Sequence, residues 1–332
     1  MASASVMTPV QRIEAVLAGR QPDRPPFSFW HHFPADQHHG PAAVQAHIDH
    51  LHHYELDFLK VMNDDPYPHD QPITGPADLG AIIALHGDEP SFARQLDLLA
   101  DLRRRLGGGV LMTTTIFNAW ATLRQLIRRP TEHNPPDLDS PDPISGKIGQ
   151  WIRTDPEAVE GALGRITTSL ANFARRCIAA GADGIYLSVR DDWVAAAGGP
   201  GLYDRLLRAS DLAILAEAAQ GRLNILHVCG RPLDLAAFGQ YPVHAISWAD
   251  RAAGPTIAQA NQYLCPVMCC GIDNLKTLPE GAPADVEAQI RDALRQAAGR
   301  PMIIAPGCTY DPRRVPKANL LAIGRYLRHL GG

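Results

Sequence analysis

A chain of 332 residues, 45% apolar and 20% charged with a formal charge of −4, can bury a large core and is too apolar to stay disordered. The charge is not gathered into a Lys/Arg stripe, so the chain lacks the electrostatic footprint of a nucleic-acid or anionic-membrane binder, and a small molecule or a protein is the expected partner. No stretch approaches the roughly 20 continuous apolar residues a membrane span needs, and residues 1–5 lack a basic segment followed by an apolar one, so the expected location is the cytoplasm.

Thr8 is placed to cap a first helix that runs through Leu17 and stops at Gly19. A Pro-rich stretch over 21–26 then leads into the first of eight short apolar runs that read as strands: 26–30, 58–62, 110–115, 184–189, 224–228, 245–248, 266–270 and 302–305. Helix-period segments lie between them at 41–54, 92–106, 156–180, 202–219, 257–263, 284–298 and 317–330. Alternation of this kind implies parallel strands with right-handed crossovers, and eight such units predict an α/β fold, a single-domain (β/α)8 TIM barrel over 1–332; an open doubly wound sheet is the rival. No G-x-G-x-x-G follows the first strand, and Gly107-Gly108-Gly109 precedes a strand instead of opening a helix, which removes support for a dinucleotide site. The Pro-rich segment 130–150 is long for a connector and reads as either a lid or a solvated insertion.

In a barrel the reacting groups sit where the strands end. There this chain carries Trp30-His31-His32, Asn63-Asp64-Asp65, Arg190-Asp191-Asp192-Trp193, His227-Val228-Cys229, Asp250, Asp273-Asn274 and Cys308. His227, Cys229 and Cys308 form an H-x-C…C set: one imidazole and two thiols, each at the end of an apolar run that closes on a Gly or opens a loop. That donor set suits Zn²⁺, and three protein ligands leave a coordination position for water or substrate, as catalytic sites do. The other reading is that strand-end Cys are small buried hydrophobes. The six Cys look like reduced thiols and ligands and not a disulfide framework, and Cys269-Cys270, inside an apolar run, reads as buried packing.

Ten of the fourteen His fall between His31 and His86. His31, His32, His38 and His39 are candidates to line the mouth, ligate a second metal or shuttle protons; His47, His50, His52 and His53 read as a solvated helix face. Asp64 or Asp65 could act as a general base or hold a substrate amine, or could cap the loop. Asp191, Asp192 and Trp193 pose the same choice, and Tyr186, inside a strand, reads as core.

Several of these segments resemble the uroporphyrinogen decarboxylase superfamily, and within it the corrinoid-dependent methyltransferases. Thr8 to Arg12 and Leu17 to Pro26 are similar to that family's N-terminal helix and its Asp-Arg-x-Pro approach to the first strand, and Tyr54 to Met62 is similar to its second strand. His227 to Gly230, together with Pro306 to Leu320, resembles the methyltransferases' zinc-binding segments. The resemblance implies a (β/α)8 barrel with zinc at its mouth, held by His227, Cys229 and Cys308, where a small thiol is activated as a zinc thiolate and takes a methyl group from a methylcobalamin carried by a partner corrinoid protein. A zinc-assisted lyase or decarboxylase acting on a small carboxylic or sulfur-containing acid, and a non-catalytic barrel that binds a corrinoid or a protein, are the alternatives. The decarboxylase branch carries an Arg-rich segment after its first strand, whereas residues 31–39 of this chain contain no Arg.

Overall fold

The structure, a computed structural model, describes residues 6–127, 142–199, 201–231 and 233–331. Seven of the apolar runs form parallel strands: β1 Phe58–Val61, β2 Leu111–Phe117, β3 Gly184–Arg190, β4 Ile225–Cys229, β5 Ala245–Trp248, β6 Val267–Ile272 and β7 Ile303–Pro306. They neighbour one another in sequence order from β1 to β7. Each connection carries helix, which is the only economical way to return the chain to the start of a parallel neighbour.

The run at 26–30, expected as the first of eight strands, is reduced to a single bridge between Phe27 and Ile304. The reason is chemical. Pro25 and Pro26 have no N–H to donate, and the first available donor, the Phe27 amide, goes to the Asp57 carboxylate at 2.9 Å instead of to a neighbouring strand. The segment still touches both edges of the sheet: Ser28 N donates to Ile304 O at 3.2 Å, Ile304 N to Pro26 O at 2.9 Å, and Asp57 N to Phe27 O at 3.0 Å.

Period-two alternation sorts the strand side chains between two apolar clusters. Phe58, Tyr186, Ile225, Ala245, Cys269, Ile303 and Ala305 share the inner one with Ile13 and Val16 of the first helix, Pro9–Leu17. Leu59, Leu187, Leu226, Ile246 and Ile304 face the helices in the outer one. Cys269 is thus inner core and Cys270 outer core, both fully buried. Thr8 caps the first helix reciprocally with Gln11.

Several expectations for the helices need correction. The span 202–219 divides into Leu202–Leu206 and Arg208–Glu217, because the fully buried Leu207 leaves helical geometry at φ −120°, ψ −27°. The segment 257–263 is helical only over Ile257–Ala260. Of the 130–150 insertion, 130–141 lies outside the described residues, and the rest is not loop: the Asp142 side chain accepts the Ser145 amide and Pro143 opens the helix Pro143–Thr154. His47 and His50 are not on a solvated face of Gly40–Tyr54 but buried: His47 Nδ1 donates to Ala43 O and its Nε2 accepts from Met62 N, and His50 Nε2 donates to Phe29 O. His52 and His53 are exposed.

One polar cluster in the helical layer titrates. Asp211, fully buried, accepts from Tyr203 Oη, from Tyr241 Oη at 3.2 Å and from Asn118 Nδ2 at 3.3 Å. Burial pushes its carboxyl from 3.8 up to about 7, against the pull of the three donors. The folded protein therefore keeps a proton that the unfolded chain releases near 3.8, so this residue's contribution to stability is complete at acid pH and is lost as pH rises through about 7. Asp211→Asn is expected to remove that slope, at most about 1.4 kcal/mol per pH unit. Melting temperatures of both proteins from pH 5 to 8, roughly, test it; parallel curves would refute the assignment.

Candidate metal centre

His227 and Cys229 are two residues apart on β4, so both project from its inner face at the end where the strand stops. Gly230 makes the turn possible. It sits at φ +104°, and a Cβ there would lie 2.1 Å from the Asp192 carboxylate, so a side chain at this position would be strained and would clash. Cys308 comes from the loop after β7, tied down on two sides by Asn274 Nδ2 to Thr309 O at 3.0 Å and Tyr310 N to Trp30 O at 3.3 Å. Gly307 lets this loop pass against β5's end, since a Cβ there would meet Ala249 Cα at 2.6 Å.

The result is that the ligand atoms of His227, Cys229 and Cys308 lie within 4.8 Å of one another, the only such group of three or more His, Cys, Asp or Glu among the described residues. Tetrahedral zinc with bonds of about 2.0–2.3 Å needs its donors roughly 3.7 Å apart, a spacing small rotamer changes reach from here. His227 is 3% exposed; its Nδ1 meets Ser247 Oγ at 3.2 Å, while its Nε2 is buried with no hydrogen-bond partner. A buried ring nitrogen without a partner costs free energy unless something binds it. With Nδ1–H donated to Ser247, the Nε2 lone pair is the one free for a metal. Tyr186 stacks on the imidazole at 5.4 Å and its hydroxyl also reaches Ser247 Oγ, at 3.3 Å.

A hydrogen bond between the two thiols drives their acidities apart. A hydrogen bond from Cys229 holds the Cys308 thiol well below its ordinary value, against burial and with help from His227. The same bond, with burial, pushes Cys229 well above, opposed by the Arg190 charge. The bond thus favours the thiolate at Cys308 over that at Cys229, and a bound cation would favour thiolates at both.

The three residues form one wall of a cavity of about 600 Å³ that also takes in Lys60, Asp64, Arg124, Arg190 and Trp193. Of the strand-end candidates, His32 and Asp64 face it as a pair, Nδ1 to Oδ1 at 2.5 Å. Burial works to raise the Asp64 carboxyl, but the His32 hydrogen bond and charge outweigh it and hold the group below its ordinary value. Asp65 reaches the rim but is taken by Arg94 at 2.6 Å, with His39 at 3.4 Å.

His31 and Asp191 are placed elsewhere. His31 packs among Phe33, His50 and Tyr310 with centroids at 4.6, 5.0 and 5.0 Å and does not line the cavity; burial, with neighbouring imidazoles, pushes it down to about 3. It is therefore neutral and turned away from the mouth, which corrects its reading as an acid or base there. Asp191 opens the helix Asp191–Gly198 and does not line the cavity either; burial and the nearby Asp234 and Asp192 raise its carboxyl. Residues on either side of it do the lining: Trp193 lies between the Arg124 and Arg190 guanidinium groups at 3.8 and 3.9 Å. Each guanidinium has its own carboxylate, Arg124 with Asp142 at 2.8 Å and Arg190 with Asp192 at 2.5 Å. Tyr186, expected as core, is 2% exposed yet borders the cavity.

Sequence reasoning overlooked Lys60 and Ser247, and placed Arg190 at a strand end without a role. Alternation would have found them: Phe58, Lys60 and Met62 share one face, as do Tyr186, Ser188 and Arg190, and Ala245 and Ser247.

The family model for uroporphyrinogen decarboxylase (URO-D) matches residues 61–326. A methyltransferase from Methanosarcina mazei has a similar structure, with a TM-score of 0.75 at 14% identity over 98% of this chain and 100% of that one. A putative vitamin-B12-independent methionine synthase from Listeria monocytogenes is more distantly similar, with a TM-score of 0.50 at 14% identity over 87% and 84% of the two chains. At such identities the likeness is one of fold. No curated protein sequence matches the chain. In addition, no helix among the described residues is long and apolar enough to cross a membrane.

Proposed function

Because the chain belongs to the uroporphyrinogen decarboxylase family, we propose that it is an enzyme of that family's methyltransferase type, holding zinc through His227, Cys229 and Cys308 and methylating a small thiol, with a methyl-corrinoid as donor. The observation that carries this reading is the convergence of one imidazole and two thiols on the wall of a cavity, with the His227 Nε2 left unsatisfied. Its overall similarity to a methyltransferase fold agrees with it. Zinc held there would supply Lewis acidity that lowers a substrate thiol's pKa, making the nucleophile at neutral pH.

The chain's own residues do the rest. Ser247 holds the His227 ring in place through Nδ1, and the Tyr186 ring backs it. Arg124, Trp193 and Arg190 form a stacked wall of the cavity, with Arg190 next to Cys229 in the sheet, and their charges are already satisfied by Asp142 and Asp192, so they shape the cavity more than they bind an acid. That distribution disfavours a polycarboxylate substrate, as does the absence of Arg from residues 31–39. The chain has no D-x-H-x-x-G segment for cobalamin, so a corrinoid would arrive on another protein or free. A lyase using the His32–Asp64 pair as acid and base is the second reading, favoured by that 2.5 Å contact at the cavity.

The test is to incubate the zinc-loaded protein with methylcobalamin and mercaptoethanol. In the expected transfer the Co–C bond breaks with its electron pair left on cobalt, the methyl group joins sulfur, and the thiol proton goes to solvent. Methylthioethanol should accumulate while the corrinoid spectrum changes. An unchanged spectrum and no thioether with any of a panel of small thiols would refute the proposal, and turnover of a carboxylic acid instead would establish the lyase.

A further inference from the structure

Lys60 is the one cavity-lining cation that the proposed chemistry leaves unused. It sits on the inner face of β1, 5% exposed, with its ammonium 4.3 Å from the Tyr186 ring centre and 5.3 Å from that of Trp30. Its one hydrogen bond goes to the Met62 sulfur at 3.4 Å. Among the described residues no carboxylate lies within ion-pair distance of it, whereas Arg124 and Arg190, which line the same cavity, each have one. The nearest acid, Asp64, is engaged by His32.

A buried ammonium held by two ring faces and a thioether is under-compensated, because cation–π contacts return about 0.5–2 kcal/mol and desolvation removes more. Burial lowers its pKa to about 7, and the charge on Cys308 is the first influence pulling it back up. The same Tyr186 ring stacks on His227. Lys60 therefore faces the three-ligand centre through one aromatic ring, with its charge uncommitted.

Charge counting gives that arrangement a purpose. A divalent ion with two thiolates and a neutral imidazole is neutral, and a third, substrate thiolate leaves the site with one negative charge in a low-dielectric cavity. We propose that Lys60 is a positioning residue that supplies the compensating positive charge, so that the centre favours an anionic sulfur ligand over a neutral thioether and lets the methylated product go. This rests on the thiol reading above. It adds a specificity device: the same ammonium that stabilises the bound thiolate has nothing to pair with once the sulfur is alkylated.

The experiment compares mercaptoethanol with its S-methyl ether, methylthioethanol, as ligands of the zinc-loaded full-length protein by calorimetry, in the parent, Lys60→Met and Lys60→Arg, with metal content measured in each. Lys60→Met is expected to keep its zinc and to bind methylthioethanol like the parent, but to bind mercaptoethanol about 10- to 100-fold more weakly. Lys60→Arg, which keeps the charge, should recover most of that loss. Equal weakening of both ligands in Lys60→Met would mean a packing role, and unchanged mercaptoethanol binding would mean no role; either overturns the inference while leaving the thiol reading intact. A zinc-loaded parent that binds no thiol would remove the thiol reading and this inference with it.

Discussion

Cys308→Ala is expected to lose zinc from a protein that remains folded. Three protein donors share the binding free energy, about 10–16 kcal/mol for a full structural zinc site, so removing one thiolate costs on the order of 3–5 kcal/mol, or about 10²–10⁴-fold in affinity. The site cannot recruit a replacement, because among the described residues no fourth His, Cys, Asp or Glu joins the group. Folding should survive: Cys308 is only partly buried and its loop is held by the Asn274 side chain to Thr309 O and by the Tyr310 amide to Trp30 O, bonds that the substitution does not touch. Dialysis against a graded chelator followed by metal analysis reads the affinity, and a thermal melt of the metal-free proteins reads the fold. If the variant retains zinc as tightly as the parent, Cys308 is not a ligand and the proposed thiol chemistry has no site. Cys269→Ala is the matched control, a fully buried thiol in the inner apolar cluster that is expected to leave metal content unchanged.

The strands were readable because a buried parallel strand is a short apolar run with little else it can be, and β1 to β7 each fall on such a run. The first run failed for a reason also visible in the sequence, two consecutive Pro residues that cannot donate. The centre was readable because imidazole and thiol at i and i+2 on one strand must share a face, while only the fold brings Cys308 to them. What stayed hidden is anything set by partners distant in sequence. Asp64 and Asp65 are adjacent and alike, but His32 turns one into the cavity pair and Arg94 ties up the other. His31 and His32 differ by one position, and alternation alone sends the first into an aromatic pocket and the second to the mouth. His47 and His50 look like a polar helix face until backbone groups of other segments claim them.

Asp57→Ala is expected to cost the protein about 3–5 kcal/mol and to lower its melting temperature by roughly 4–7 °C. Asp57 is fully buried just before β1 and accepts from Arg12 Nη1 at 2.6 Å, Arg24 Nη1 at 2.7 Å, Arg24 Nη2 at 3.1 Å and the Phe27 amide at 2.9 Å. Removing it strands two guanidinium groups that are 4% and 10% exposed, of which only Arg12 keeps another carboxylate, Asp23 at 2.6 Å. It also frees the Phe27 amide at the one place where the segment lacking a strand of its own is tied between β1 and β7. Asp57→Asn, which retains an acceptor oxygen but not the charge, should fall between the two. Because this network lies at the N-terminal ends of the strands and the His–Cys–Cys group at their C-terminal ends, zinc affinity measured well below the melt should not move. A melting temperature unchanged within about 2 °C would show that the buried charges contribute nothing net; a melt lowered together with zinc affinity would show that closing the sheet at one end shapes the metal ligands at the other.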